Sequence, residues 1–397
     1  MEFAINRDSF LKSLGHANGI IEKKTTLPIL SNVLIEAKNS KIKITATDLD
    51  IIYYEEINPQ EIKAEGSTTT SSNILYDILR KLQPDAKVEL SLLNVNKLKL
   101  ISGNSKFNLL CMPSDNFPLS ENDNNKNVFD ISSDKLLKLL NKSKISISND
   151  ETRHYLNGIY LHKTTLENKS FLCGVATDSH RLSSSSVEIS QNIDMESIIL
   201  PKKTIFQLIS LLEQNNQKIK ISNSKSKIKF EIGNGVLISK VIDGRFPDYN
   251  KVIPKDNDKI LEIELNDFKN SIDRVTTVSA DRKEGLKISI SKDSIQLSVN
   301  SLNSGEGVEN INAKFNSDNL NISFNSRYLI DIASQIENKT IFIYLKDPGS
   351  PVLIKDPLEK SSFHVVMPMK ILFILFYNNI RLFFFFSLSN HLIPRLI

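Results

Sequence analysis

A short amphipathic unit recurs along the chain, and this repeat constrains the fold more than any other feature. Its clearest copy is the stretch 132–148, S-S-D-K-L-L-K-L-L-N-K-S-K-I-S-I-S. Four leucines share one helical face and three lysines share the opposite face. These are Leu136, Leu137, Leu139 and Leu140, and Lys135, Lys138 and Lys142. Ile145 and Ile147 then alternate with serines, which predicts that a strand follows the helix.

Six such units, about 60 residues apart, are read along the sequence. Pairs of units close with related sequences: C-M-P-S-D-N-F-P at 111–118, V-I-D-G-R-F-P-D at 241–248 and V-V-M-P-M-K at 365–370. The doubled period is the size of a domain. Helix-and-hairpin patterns are common enough to recur by chance, but the regular spacing favours a true repeat. We therefore expect an α+β fold of three similar domains, each with two helices packed on antiparallel sheets.

Composition places the chain among ordinary globular proteins, with 40% hydrophobic and 24% charged residues. The net charge of +4 permits a polyanionic partner without requiring one. Cys111 and Cys173 both lie in apolar runs, so we expect core thiols and not a disulfide or a metal site. The first residues show no secretory pattern, and the sequence predicts a cytoplasmic protein.

Motifs for catalysis are weak. The sequence has no G-x-x-x-x-G-K-[ST], G-x-G-x-x-G or H-E-x-x-H. Asp178, Ser179 and His180 supply the side-chain types of a hydrolase, but consecutive residues rarely converge on one point. Two other interpretations stay open: a polar turn after a strand, and a polar rim around an apolar pocket.

Basic side chains recur on the predicted outward helix faces and first turns. Repeated at equivalent places, they suit the phosphate backbone of a nucleic acid, and nothing in the pattern indicates reading of base edges. They are Lys12, Arg80, Lys81, Lys135, Lys138, Lys142, Lys202, Lys203, Lys269, Arg274 and Arg327. A repeat-built scaffold that binds no DNA is the alternative.

Five stretches carry a resemblance to a known family: T-L-P-I-L-S-N at 26–32, R-H-Y-L-N-G at 153–158, A-T-D-S-H-R-L at 176–182, D-G-R-F-P-D-Y at 243–249 and V-V-M-P-M-K at 365–370. From residue 1 to about 371 the chain resembles the bacterial DNA polymerase III beta subunit, or beta sliding clamp. The resemblance implies a processivity factor, a head-to-tail dimeric ring around duplex DNA with no catalytic role and no cofactor or metal. The boundaries between domains fall in the polar runs 119–127 and 255–259, which predicts domains at 1–124, 125–256 and 257–371.

By the same resemblance, a hydrophobic cleft binds short peptides of the polymerase alpha subunit, the clamp loader and other replication or repair proteins. The cleft residues are Leu156, Thr177, Ser179, His180, Arg181, Leu182, Pro247, Val252, Val365, Val366, Met367, Pro368 and Met369. The DNA-contact residues are Lys24, Arg80, Arg153, His154, Tyr155, Lys202 and Lys203. The homodimer seam joins Ile78, Phe107 and Leu109 to Thr277 and Val278. Ser179 stands where the family usually has glycine, and His154 stands where it often has an aromatic residue.

The last residues, 372–397, depart from the family as an apolar C-terminal extension. Asn378, Asn379 and Arg381 interrupt its apolar runs, which disfavours a transmembrane helix. We expect an appendage without a selected function. A competing hypothesis is that Leu382 to Phe386 occupies the cleft and weakens peptide binding.

Overall fold

The structure, a computed structural model, describes residues 1–22, 26–119, 127–189, 195–214, 217–279, 285–301 and 303–369. Over these ranges it contains six α-helices and 25 β-strands, numbered here in chain order. The helices are α1 (Arg7–Asn18), α2 (Ser72–Lys81), α3 (Ser133–Lys144), α4 (Lys202–Leu212), α5 (Leu265–Val275) and α6 (Ser326–Ala333). The strands are β1 (Glu2–Asn6), β2 (Asn32–Lys38), β3 (Lys41–Thr47), β4 (Ile51–Ile57), β5 (Glu61–Ala64), β6 (Gly66–Ser71), β7 (Lys87–Asn94), β8 (Lys97–Ser102), β9 (Ser105–Met112), β10 (Asn127–Ser132), β11 (Gly158–Leu166), β12 (Lys169–Thr177), β13 (Arg181–Ile189), β14 (Ile198–Pro201), β15 (Lys218–Asn223), β16 (Lys227–Ile232), β17 (Gly235–Lys240), β18 (Lys259–Glu264), β19 (Gly285–Ile290), β20 (Ser294–Ser301), β21 (Gly305–Phe315), β22 (Leu320–Asn325), β23 (Thr340–Leu345), β24 (Val352–Asp356) and β25 (Glu359–Val366).

The described residues form two compact structural units, called the first unit and the second unit from here on, and each is built from several segments of the chain. The first unit comprises Met1–Lys138, His162–Ser170 and Ile189–Asp243. The second comprises Leu139–Leu161, Phe171–Glu188 and the described residues from Gly244 onward. Both are α+β with antiparallel sheets, as the sequence predicts.

The first unit is built on one 13-stranded sheet in the order β10-β15-β16-β17-β4-β3-β2-β6-β9-β8-β7-β1-β5. Strand β3 shows why it forms: in K-I-K-I-T-A-T, Ile42, Ile44 and Ala46 are fully buried on one face. Helix α1 buries Phe10 and Leu14 against this unit. Alternation in the strands and a 3.6-residue period in the helix therefore meet in one core.

The second unit repeats this arrangement with strands in the order β13-β25-β24-β23-β18-β21-β20-β19-β22. Its core includes Phe268 and Ile272 from α5 and Leu329 and Ile332 from α6. The side chain of Asn325 caps α6 by accepting the backbone N–H of Arg327 at 3.0 Å. The predicted pairing of helices with antiparallel strands is confirmed here.

Lys142 contradicts the predicted lysine face of α3, because its side chain is only 4% exposed. Its ammonium group donates to the carboxylates of Glu337, at 3.2 Å, and Glu359. It also donates to the backbone oxygen of Gln335 at 3.2 Å. Acidic partners nearly 200 or more positions away in the sequence make burial of this charge possible, and the helical pattern alone carries no sign of them.

The strand predicted at Ile145 to Ser148 is also wrong. The N–H groups of Ser146 and Ile147 donate to the carbonyls of Ser143 and Lys144, both at 3.2 Å, so the chain turns as the helix ends. The Ser146 hydroxyl lies 2.7 Å from that of Ser183. The alternation of isoleucine and serine therefore reflects a buried polar turn and not a sheet.

A polar network in the first unit fixes α1. His16 Nδ1 lies 3.0 Å from a Glu55 carboxylate oxygen and His16 Nε2 lies 2.9 Å from Gln214 Oε1. The Tyr53 hydroxyl donates to the same Glu55 oxygen at 3.0 Å. Burial lowers the pKa of His16, but the Glu55 and Gln214 hydrogen bonds outweigh that effect and hold this pKa above its usual value, against a weaker opposing effect of Lys12. Burial raises the pKa of Glu55, yet His16, Ser13 and Tyr53 hold it below its usual value.

These shifts predict a pH-dependent unfolding midpoint. The raised pKa of His16 contributes stability that is complete below the ordinary histidine pKa of about 6.5 and is lost as pH rises through the folded-state pKa. The lowered pKa of Glu55 contributes stability that is lost as pH falls through its folded-state value. A thermal melting series of the wild type and His16→Gln should show a fall in midpoint above about pH 6.5 that is smaller in the variant. Parallel profiles would contradict the assignment.

Candidate functional site

The predicted cleft motif forms a tight turn between β12 and β13. The Asp178 carboxylate accepts the backbone N–H groups of His180 and Arg181, both at 3.0 Å. The Thr177 hydroxyl donates to the carbonyl of Arg181 at 2.7 Å and accepts the N–H of Ser179 at 3.1 Å. Ser179 has a φ of +77° and is buried, whereas His180 is exposed. The turn is therefore held by its own side chains, with His180 free to face a ligand.

Arg181 anchors this turn to helix α6. Its Nε donates to Asp178 at 3.1 Å and its Nη1 donates to Asp331 at 2.7 Å. The guanidinium also lies 4.3 Å from the ring centroid of Tyr328. Its side chain is 10% exposed, so Arg181 positions the turn and offers little charged surface to a ligand.

The carboxyl-terminal strand brings the methionine motif beside the turn. Strand β25 pairs with β13, with Val366 opposite Arg181 and Val365 opposite Leu182. The N–H of Met367 then donates to the carbonyl of His180 at 2.9 Å. Two stretches that the sequence separates by more than 180 positions thus become neighbours.

The predicted cleft residues divide into a buried base and a more accessible rim. Leu156, Leu182, Val365 and Val366 are fully buried. The rim residues are His180, Pro247, Val252, Met367, Pro368 and Met369, all partly or fully exposed. Leucine, valine and adaptable methionine are the side-chain types that suit large apolar anchors.

A groove of about 290 Å³ adjoins this rim. It shares Val252 and Met367 with the predicted set, and its other walls include Pro254, Pro351 and Lys346. Sequence reasoning missed the residues after Val252 and those near Pro351, because no motif marks them. Only their packing beside Met367 reveals them.

The hydrolase alternative finds no support in the turn. Asp178 is bonded to backbone N–H groups and to Arg181. The Ser179 hydroxyl accepts a hydrogen bond from Arg153. The acid and the nucleophile of such a site, Asp178 and Ser179, are thus engaged in other hydrogen bonds.

The first unit contains a second copy of this turn, at Thr47–Ile51. The Thr47 hydroxyl donates to the carbonyl of Ile51 at 2.9 Å and accepts the N–H of Leu49 at 3.0 Å. Asp48 accepts the N–H groups of Asp50 and Ile51, at 3.0 and 2.7 Å. Leu49 has a φ of +80°, matching Ser179. The repeat therefore extends to individual hydrogen bonds.

The residue that bonds to the turn from the neighbouring strand is charged at the first copy and apolar at the second. The N–H of Lys240 donates to the carbonyl of Asp50 at 2.8 Å, which is the place Met367 takes beside His180. The Lys240 ammonium pairs with Asp50 at 3.0 Å. Lys203 pairs with Asp48, and with Glu22 at 3.1 Å. The same backbone thus carries an ion-paired junction in one unit and an apolar rim in the other.

The predicted DNA-contact residues differ in their exposure and in their ion pairs. In the first unit, Lys202 is exposed at the start of α4, and Arg80 is 61% exposed beside Asp77 at 3.2 Å. Lys203 is ion-paired: burial lowers its pKa, but Asp48 and Glu22 more than compensate and raise it. Lys24 lies outside the described residues.

In the second unit, Arg153, His154 and Tyr155 lie on the short 3-10 helix Glu151–Leu156. Arg153 Nε donates to Asp150 at 2.8 Å. His154 is exposed and meets the Tyr155 ring edge-on, with centroids 5.9 Å apart.

The predicted seam residues differ in how exposed they are. Ile78, Phe107 and Val278 are half-buried, Leu109 is buried and Thr277 is exposed. Alternation along β9 turns Leu110 outward, where it is 85% exposed. Sequence reasoning missed Leu110, although the alternation of the strand would have identified it.

Among the residues that the structure describes, no cluster of His, Cys, Asp or Glu is arranged to hold a metal ion. Cys111 and Cys173 are buried free thiols as predicted, and burial raises the pKa of Cys173 to about 11. No helix among the described residues is long and apolar enough to span a membrane.

Comparison with known proteins gives consistent matches over nearly the whole chain. Three family models match in order: the N-terminal domain of the DNA polymerase III beta subunit at residues 1–121, its central domain at 130–248 and its C-terminal domain at 250–370. The beta sliding clamp of Caulobacter vibrioides is 36% identical over 373 residues, and that of Escherichia coli K12 is 28% identical over 371 residues. Each alignment covers 94% of this chain and 100% of the relative.

Solved structures agree with these matches. The DnaN sliding clamp of Bartonella birtlesii bound to griselimycin has a TM-score of 0.90 at 38% identity, and the clamp of Caulobacter crescentus has 0.88 at 35%. Each comparison covers 94% of this chain and 100% of the solved chain.

The buried setting of Arg181 generates a stability prediction. Arg181→Ala removes two ion pairs and the contact with Tyr328, and it leaves Asp178 largely buried without its partner. We expect a loss of about 2–4 kcal/mol, measured by denaturant unfolding. Arg80→Ala is the control, because an exposed pair contributes at most about 0.5–1 kcal/mol. Equal losses in the two variants would contradict the anchoring role.

Proposed function

The chain belongs to the bacterial DNA polymerase III beta subunit family, and we propose that it works as a head-to-tail dimeric ring around duplex DNA. Its role is that of a beta sliding clamp, a processivity factor that keeps a DNA polymerase on its template. The observation that carries this conclusion is the ordered match of three beta-subunit domains over residues 1–370. We assign the domains to 1–124, 125–256 and 257–371.

A heterologous contact between two copies would close the proposed ring. It would join Ile78, Phe107 and Leu109 of one copy to Thr277 and Val278 of the other. The partly exposed Phe107 and Val278 support this assignment, since each is an apolar side chain that another surface could cover. Closure would also protect sheet edges that would otherwise be available for aggregation.

Sequence-independent contacts with DNA phosphates would let the ring slide. Lys202 and Arg80 are the strongest candidates, because both are exposed and basic. Lys203 would have to exchange its carboxylate partners for a phosphate, so we assign it a smaller share. Arg153, His154, Tyr155 and Lys24 complete the proposed set. None of these contacts reads bases, which is consistent with movement along any sequence.

We assign the rim around His180 and Met367 to partner binding. Its occupants would be short peptides with large apolar anchors such as Leu and Phe, from the polymerase alpha subunit, the clamp loader and other replication or repair proteins. The buried base of leucines and valines and the flexible methionines support that chemistry. A bound peptide would tether its protein to the ring.

We further propose that the chain is a non-catalytic accessory subunit of the polymerase III holoenzyme, without a cofactor, acting in the bacterial cytoplasm. The extension 372–397 lies outside the described residues, and we assign it no part in the clamp fold. The comparisons support this division, because relatives aligned over their full length leave 6% of this chain unmatched. Its proposed competition for the cleft stays a hypothesis.

Topological binding predicts a difference between closed and open DNA. After loading onto nicked circular plasmid by a bacterial clamp loader with ATP, the protein should co-elute with the DNA in gel filtration. It should be lost at least about tenfold faster once the plasmid is linearised, because a ring slides off an end. Retention on the circle should survive about 0.5 M salt, which screens phosphate contacts.

Two outcomes would contradict the ring. Equal retention on circular and linear DNA would indicate adhesion. Absence from both, with an active loader shown by a control clamp, would favour the scaffold alternative.

A further inference from the structure

Ser179 holds a backbone conformation that costs a side chain energy. Its φ of +77° lies in the left-handed region that favours glycine, and its side chain is buried. Replacement by glycine would remove that steric cost. A contact of the serine side chain could offset this cost.

The hydroxyl of Ser179 accepts a hydrogen bond from Nη1 of Arg153. This contact spans 26 positions and joins the cleft turn to the 3-10 helix Glu151–Leu156. The first-unit turn has no equivalent role at this position, because Leu49 has the same φ but a side chain that is 45% exposed. The backbone conformation belongs to the turn, whereas the bond to an arginine distinguishes the cleft copy.

Arg153 is held from both sides. Its Nε donates to Asp150 at 2.8 Å, and Asp150 also accepts the N–H of Thr152 at 3.0 Å. Within the short helix, Arg153 itself departs from helical geometry, with φ −115° and ψ 59°. The side chain is 28% exposed, so its guanidinium remains within reach of solvent. Three residues further on, Leu156 forms part of the buried base of the cleft.

We propose that the Ser179 hydroxyl holds Arg153 toward the cleft and so lowers its share of the DNA contacts proposed above. On the cleft side, the bond holds the segment that carries Leu156 against the turn, which organises the binding site before a peptide arrives. On the DNA side, the same bond occupies an N–H that could otherwise contact a phosphate. This inference rests on the proposed function, since it needs both a peptide cleft and a DNA surface.

Ser179→Ala tests the inference, because it keeps the Cβ atom and the backbone cost and removes only the hydroxyl. A fluorescent synthetic peptide with a Leu–Phe pair should bind about three- to tenfold more weakly, because the site must now be ordered on binding. A short linear duplex at low salt should bind about two- to fivefold more tightly, with a steeper salt dependence, because Arg153 is released to a phosphate. The DNA gain should vanish in Ser179→Ala/Arg153→Ala.

Leu49→Ala is the matched control, since it alters the equivalent turn residue of the first unit and should change neither affinity. Thermal melting of every variant checks folding. If Ser179→Ala leaves both affinities unchanged, or lowers both together as general loosening would, the inference is overturned.

Failure of the inference can be told from failure of the proposed function. Met369→Glu alters the exposed rim of the cleft, and this variant should not bind the peptide that the wild type binds. Loss of binding in Met369→Glu with an unaltered Ser179→Ala overturns the inference alone. A wild-type protein that binds no peptide overturns both.

Discussion

The rest of the structure depends on one kind of backbone pairing. In each unit, the last strand of a later repeat pairs with the strand that directly follows the turn in an earlier repeat. In the first unit β17 pairs with β4, and in the second β25 pairs with β13. Each ladder ends on one further hydrogen bond, from Lys240 to Asp50 or from Met367 to His180. Because buried backbone groups must be paired, these ladders determine which side chains meet at the turn. The proposed cleft lies where this ladder places Met367 beside the turn.

Two copies of one turn show how a repeated backbone acquires different roles. Both copies share the threonine and aspartate bonds and a left-handed third residue. Around the first, Lys203 and Lys240 neutralise the aspartates. Around the second, Arg181 is bound from the α6 side, so methionine and proline can form the rim. Substitutions of a few side chains thus separate a structural junction from a surface suited to apolar peptides.

Much of this was predictable from sequence, because periodicity reports which face of each element is buried. The helix stripes and the alternation in strands such as β3 predict the α+β core. Contacts between distant residues were not predictable. Lys142 is buried because Glu337 and Glu359 reach it, and Arg153 is held by Ser179. The local sequence does not indicate such distant partners. A charged residue that the helical period places on the surface can therefore be buried in the structure.

Closure of two copies into a ring is the central claim, and the solution mass of the protein tests it most directly. Sedimentation equilibrium across a dilution series should be done on the full chain and on a chain stopped after Ile371. A dimer in both is the predicted result, and it would also show that the extension does not affect assembly. A monomer or an aggregate in the full chain alone would show that the extension disrupts assembly. A monomer in both at micromolar concentration would contradict the ring.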